Sequence, residues 1–184
     1  MPRIQKVNSD VLKAFEDPRN FFKFLKVFNK ETNKLEPFVM RPQQEELLDA
    51  LLTHKKIVVL KARQLGISTL LRAYFLWKTY MSTEPTRHAI ISYTRDSADH
   101  LHQMDKGFFD SLPSPLRRKL SKSSSRTLQF GDTNAELRAF TAGGKAGATR
   151  SFTFTDTHIS EFAFFDDQDD LLANVMASVG EGQI

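Results

Sequence analysis

The run Lys61-Ala-Arg63-Gln64-Leu-Gly66-Ile67-Ser68-Thr69 holds two cations, a glycine and two hydroxyls within nine positions. These are the parts that hold a phosphate: backbone N–H groups curled around the anion, a helix N-terminus aimed at it, a cation, and a hydroxyl for Mg²⁺. Gly66 allows the close backbone approach and Ser68 supplies the hydroxyl. The usual spacing G-x-x-x-x-G-K-[ST] is altered twice, because Lys61 stands at the first glycine and Ile67 at the lysine. A lysine at the start of the loop can bend back over bound phosphates, with Arg63 as a second cation, so the charge has moved rather than vanished. Taken alone, the segment is equally readable as a plain strand-turn-helix in which Gly66 permits the turn.

A second group lies about ninety residues on. Phe152 to Ile159 alternates apolar and polar residues and ends in Ser160-Glu161. Hydrolysis of ATP in a phosphate loop needs a carboxylate at the end of a neighbouring strand to orient the attacking water, and Glu161 is placed for that work. Ser160 occupies the position usually held by a metal-binding Asp and can meet Mg²⁺ only through its hydroxyl or a bound water. Asp156 is the next candidate carboxylate.

Positioning these residues requires alternating strands and helices. Ile57 to Leu60 is a short apolar run before the loop, Gly66 to Tyr80 reads as a helix after it, His88 to Tyr93 as a strand, and Asp96 to Leu112 as a helix. That alternation predicts an α/β fold with a mostly parallel sheet flanked by helices. Leu128 to Phe130 and Glu136 to Phe140 predict a hairpin around Gly131-Asp132, and Leu171 to Val179 a last helix. Ahead of the loop, Pro42 starts a helix with Leu47, Leu48, Leu51 and Leu52 at helical spacing. Ser9-Asp10 predicts a cap for a helix to Glu16, and Pro18 opens another running through Phe28. The polar stretch from Asn29 to Glu36 divides residues 1–35, a helical appendage, from the main domain at 36–184.

The 184 residues, 40% of them apolar, are enough to bury a core. A net charge of +4 permits nucleic acid as a partner without demanding it. There is no cysteine, so disulfide staples and thiolate metal sites are excluded. The chain is expected to be soluble and intracellular, with no membrane span. Asp166, Asp167, Asp169 and Asp170 read as helix-dipole partners rather than a metal cluster. Arg117, Arg118, Lys119, Lys122 and Arg126 read as a solvated loop, with contact to a DNA backbone as the alternative. The five histidines have no zinc-ligand spacing.

Three separated motifs resemble the N-terminal ATPase domain of the large terminase subunit of tailed bacteriophages: Arg41-Pro-Gln-Gln44, Lys61 to Thr69, and His158-Ile-Ser-Glu-Phe-Ala-Phe164. The match runs from about residue 41 to 165. The resemblance implies a P-loop NTPase of the RecA-like ASCE class that uses ATP and Mg²⁺ to drive double-stranded DNA into a procapsid. It implies that Gln44 reads the adenine and that Lys61, Arg63, Gln64, Gly66, Ser68 and Thr69 bind the nucleotide. Ser68 and Ser160 would serve the metal, and Glu161 would activate water. Arg150 would reach a neighbouring subunit's ATP. The implied partners are DNA, a portal protein, a small terminase subunit and further copies in a ring, in the cytoplasm of a bacterial host. A coupling motif and a nuclease domain, which follow in that family, have no counterpart in the 184 residues, so a truncated ATPase fragment is expected. The rivals are a helicase-type translocase fragment and a catalytically silent nucleotide- or DNA-binding module.

Overall fold

Apolar spacing and capping residues set the helices. The computed structural model describes residues 8–29, 31–62, 64–141, 152–179 and 182–184. Helix α1 (Ser9–Ala14) starts one residue earlier than its sequence cap, because Asn8 accepts from the Asp10 amide at 2.8 Å. Helix α2 (Pro18–Phe22) has Pro18 at its first turn and Asp17 as cap. It stops far short of Phe28: Lys26–Asn29 and Lys34–Pro37 are instead strands β1 and β2 of an antiparallel hairpin. The reason is visible in the burial. Phe21, Phe22 and Leu25 enter the core, whereas Phe28 is exposed and Val27 alternates with its neighbours as a strand requires. The expected division near residue 35 falls within β2.

Helix α3 (Pro42–Thr53) buries Leu47, Leu48 and Leu51 and leaves Leu52 outside. Helix α4 (Ile67–Met81) is apolar around most of its circumference, which makes it the central helix of the core. Strand β3 (Arg87–Ser92), helix α5 (Arg95–Ser111), strands β4 (Leu120–Ser123), β5 (Thr127–Phe130), β6 (Glu136–Thr141) and β7 (Asp156–Ser160), and helix α6 (Gln168–Val179) complete the chain. The sheet order is β4-β5-β6-β3-β7. Its β6-β3-β7 part is parallel, and β4 and β5 extend it antiparallel beyond β6. The expected α/β class with flanking helices is therefore present, and so is the hairpin pairing Leu128 with Leu137.

Strand β3 is buried from His88 to Ser92, as a parallel strand covered on both faces must be. Its Ile90 joins the core built with α4 and α5, while Ala89 and Ile91 meet Leu171 and Val175 of α6 on the opposite face. Arg72 of α4 and Asp105 of α5 form a fully buried ion pair at 3.6 Å between the two helices. The basic stretch 117–126 is not simply solvated loop. It contains edge strand β4, and Arg118 is held by Asp132 and lies over the Phe130 ring at 4.6 Å. No described helix is long and apolar enough to cross a membrane.

Candidate phosphate-binding site

The loop between Leu60 and α4 is held from behind by the first turn of α3. Gln44 is buried, with its Oε1 accepting from the Arg41 amide at 2.8 Å and its Nε2 donating to the Gly66 carbonyl at 2.7 Å. The Arg41 guanidinium donates to the Gln64 carbonyl at 3.0 Å. Two loop residues lie in the left-handed region, Gln64 at φ 67° and Gly66 at φ 71°. Glycine is required at the second of these. A Cβ there would sit in a conformation that L-residues disfavour and would lie 2.7 Å from Gln44 Nε2.

Gly66 is also the N-cap of α4, and no side chain caps it. The first-turn amides of this fifteen-residue helix therefore point into the loop without a side-chain acceptor, with the positive end of the helix dipole behind them. Ile67 is 5% exposed and belongs to the core, so the position of the customary lysine faces inward. Lys61 is exposed at the opposite end of the loop, and Ser68 and Thr69 are half-buried on the first turn.

Opposite the loop, β7 ends in Ser160, which pairs in register with Ser92 of β3. Glu161 follows in the left-handed region at φ 58°, ψ 43°, exposed, and a short 3₁₀ turn over Phe162–Phe164 carries the chain away. A left-handed Glu costs about 1 kcal/mol relative to the ordinary helical well. The turn breaks the alternation of β7 at the residue whose carboxylate is of interest. His158 sits on the same strand, and burial, with Arg72 and Lys61 nearby, pushes its pKa well below the ordinary histidine value, so the ring is neutral.

One cavity of about 530 Å³ collects these pieces: Lys61, Gln64, Gly66, Ser68 and Thr69 on one side, Ser160 and Glu161 on another. Its far wall comes from Val27, Phe28 and Leu35 of the β1–β2 hairpin and from His100 and Met104 of α5. Those wall residues escaped the sequence reading. Lys26-Val-Phe-Asn29 shows no alternation of apolar and polar residues, and the closely spaced Phe residues before it fit a helical spacing. Gln44 stands behind the loop rather than lining the cavity. Arg63 and Arg150 lie outside the described residues.

Asp156 is at the other end of β7, about 13 Å of strand away from Ser160. It is buried between Lys78 at 2.7 Å and His88 at 2.8 Å and accepts from the Gln183 amide. Burial alone would raise its pKa, but the His88 hydrogen bond and the Lys78 ammonium outweigh that and bring it down to about 2. Asp156 is thus a structural anion, remote from the cavity. Asp169 and Asp170 occupy the first turn of α6, and no metal-binding group of three His, Asp or Glu side chains occurs among the described residues.

Oxygen donors from Ser68 and Ser160 bordering the same cavity suit a hard cation such as Mg²⁺ in company with phosphate oxygens. An extended segment without strand pairing, a loop and the uncapped N-terminus of α4 thus face Glu161 at the end of β7 across one cavity. The chain is folded like the large terminase of bacteriophage HK97. The two superpose with a TM-score of 0.69 at 17% sequence identity, covering 89% of this chain and 35% of the terminase. The likeness to the HK97 terminase is one of fold, and this chain spans about a third of that protein's length. No protein-family model matches the sequence, and no curated protein matches it.

Proposed function

We propose that this chain binds Mg·ATP between residues 61–69 and Ser160-Glu161 and hydrolyses it. The work done is translocation of double-stranded DNA into a viral procapsid, as the ATPase domain of a terminase large subunit. The observation that carries this reading is the single cavity shared by Lys61, Gly66, Ser68, Thr69, Ser160 and Glu161.

Each residue then has a task that its surroundings support. The first-turn amides of α4 meet the phosphate oxygens, and Lys61 supplies the positive charge that Ile67 cannot. Ser68 and Ser160 hold the metal through hydroxyl oxygens. Mg²⁺, when bound, neutralises charge on the terminal phosphates. Glu161 accepts hydrogen bonds from the attacking water and orients it. Gln44 fixes the loop through Gly66 rather than by contact with the nucleotide. Gln64 and Arg63 add contacts to the nucleotide. Arg150, supplied by a neighbouring copy in a ring, offsets transition-state charge. A portal protein, a small terminase subunit and the cytoplasm of a bacterial host complete the setting of this proposal.

The test is ATP turnover of the protein and of Glu161→Gln across a wide protein-concentration range, with and without double-stranded DNA. The expected result is turnover that rises with concentration and DNA and is lost in Glu161→Gln. Turnover unchanged by that substitution contradicts the proposal.

A second reading, a nucleotide-binding module without turnover, is favoured by one observation. Val58 and Leu60, in the segment that leads into the loop, are fully exposed and unladdered. A loop anchored on that side by so little binds phosphate more readily than it holds transition-state geometry. Nucleotide binding without hydrolysis at any concentration separates the two readings.

A further inference from the structure

Three adjacent parallel strands end in hydroxyls set side by side. Ser92, the last residue of β3, pairs in register with Thr141 at the end of β6 and with Ser160 at the end of β7. Register partners share a face of the sheet, and here it is the face under α4 and α5. Ile90, two residues before Ser92, belongs to the core built with those helices, as do Leu137 and Ala139 of β6. The His158 ring, two residues before Ser160, lies 6.3 Å from the Phe75 ring of α4. Ser160 borders the cavity, and Ser92 and Thr141 continue the row away from it.

We propose that Ser92 is a positioning residue of the metal site. Its oxygen accepts the Ser160 O–H when Ser160 turns a lone pair to the cation, and its own O–H donates on to Thr141. This role rests on the reading of the cavity as a Mg·ATP site. Three observations carry it.

The hydroxyl oxygens of Ser92 and Thr141 are buried and have no hydrogen-bond partner among the described residues. A buried hydroxyl in that state is destabilising, and folds concede such a local cost at functional sites.

The surroundings of Ser92 limit where a partner can come from. The row beneath it on the same face is Ala139, Ile90 and His158. The first two are apolar, and the His158 ring packs on Phe75. The flanking hydroxyls are left as the side-chain partners level with Ser92. Neighbouring strands lie about 4.8 Å apart, so a change of χ1 rotamer brings either oxygen within hydrogen-bond reach.

The direction of donation follows from charge. A serine that gives an oxygen lone pair to a divalent cation has to send its proton elsewhere, and the nearby charge makes that O–H a stronger donor. Ser92 is the hydroxyl beside it, and an acceptor there fixes the orientation of the ligand oxygen.

The experiment measures Mn²⁺ binding by electron paramagnetic resonance in the presence of a non-hydrolysable ATP analogue, with thermal melts of the same samples. The proteins are the parent, Ser92→Ala, Ser92→Thr and Thr157→Val. Thr157 is the control, because its hydroxyl is also buried and unpartnered but belongs to the opposite face of β7 from Ser160. Ser92→Ala and Thr157→Val are expected to melt at or above the parent's temperature, since each removes an unsatisfied hydroxyl. Mn²⁺ should be held about tenfold more weakly or worse in Ser92→Ala alone. Ser92→Thr, which keeps the hydroxyl, should bind Mn²⁺ as the parent does. Parent-like affinity in Ser92→Ala, or an equal loss in Thr157→Val, overturns the role of Ser92 and leaves the phosphate site standing. A Ser92→Ala protein that melts well below its parent shows that the hydroxyl serves the fold, and also overturns it. No saturable Mn²⁺ binding by the folded parent overturns the Mg·ATP reading itself, and the role of Ser92 with it.

Discussion

Gln44 Nε2 donates to the Gly66 carbonyl across 22 positions of sequence, and the bond is 2.7 Å long. It ties the first turn of α3 to the cap of α4 and so sets the curvature of the loop between Lys61 and Ser68. The same amide's Oε1 holds the Arg41 N–H. One side chain therefore serves a helix start and a loop at once.

The two duties separate by substitution. Gln44→Glu keeps an acceptor for Arg41 but no longer donates to Gly66, whereas Gln44→Ala loses both. Gln44→Ala is expected to lose about 1–2 kcal/mol of stability. Gln44→Glu should lose less in thermal unfolding, and both should bind Mg·ATP roughly tenfold more weakly. Nucleotide titration and thermal melts on the same samples check this.

Glu161 is held in a left-handed conformation, which costs a non-glycine residue about 1 kcal/mol. Glu161→Gly is expected to raise thermal stability by about 0.5–1 kcal/mol by relieving that backbone. It should remove turnover as completely as Glu161→Gln. A Glu161→Gly protein less stable than its parent would show that the side chain serves structure.

Asp156 makes stability depend on acid. Its carboxyl is depressed from 3.8 to about 2, worth about 2 kcal/mol if the unfolded chain titrates normally. A depressed carboxyl contributes fully above its unfolded value and loses the contribution as pH falls through its folded value. The gap in melting temperature between the parent and Asp156→Asn should therefore be full at pH 6 and shrink steadily from about pH 4 to pH 2. A gap independent of pH would mean that the Lys78 and His88 contacts do not stabilise the anion.

Ile67 is buried and Lys61 exposed, so the two should respond differently to truncation. Ile67→Ala is expected to cost about 2–4 kcal/mol of stability, since the side chain is buried in the core around α4. Lys61→Ala should cost almost none, being exposed. Denaturant melts of the two variants decide it.

Much of this arrangement was legible in the sequence because it is local. The apolar spacing of α3 and α4, the apolar centre of β3 at Ala89 to Ile91 and the turn at Gly131-Asp132 each state their element within a dozen residues. The loop and Glu161 stood out in the sequence as candidates for the same reason, and the structure sets Lys61, Gly66, Ser68 and Glu161 around one cavity. The β1–β2 hairpin was not, because Phe21, Phe22, Phe24, Leu25 and Phe28 also satisfy a helical spacing, and only packing against α4 and α5 decides which of them is buried. The Gln44 clamp joins two distant segments and has no local signature. Glu161's left-handed backbone follows from how β7 meets its 3₁₀ turn, which no residue type there announces. Ile57 to Leu60 was legible as an apolar run, but a strand needs a neighbour on the page of the sheet, and past Ile57 it has none among the described residues.

The most direct test of the phosphate site is equilibrium binding of Mg·ATP to the parent protein and to Lys61→Ala. The relocated charge at Lys61 requires saturable binding by the parent and at least a tenfold loss in Lys61→Ala, with the fold and melting temperature unchanged. Equal affinity in the two proteins, or no saturable binding by the folded parent, would contradict it.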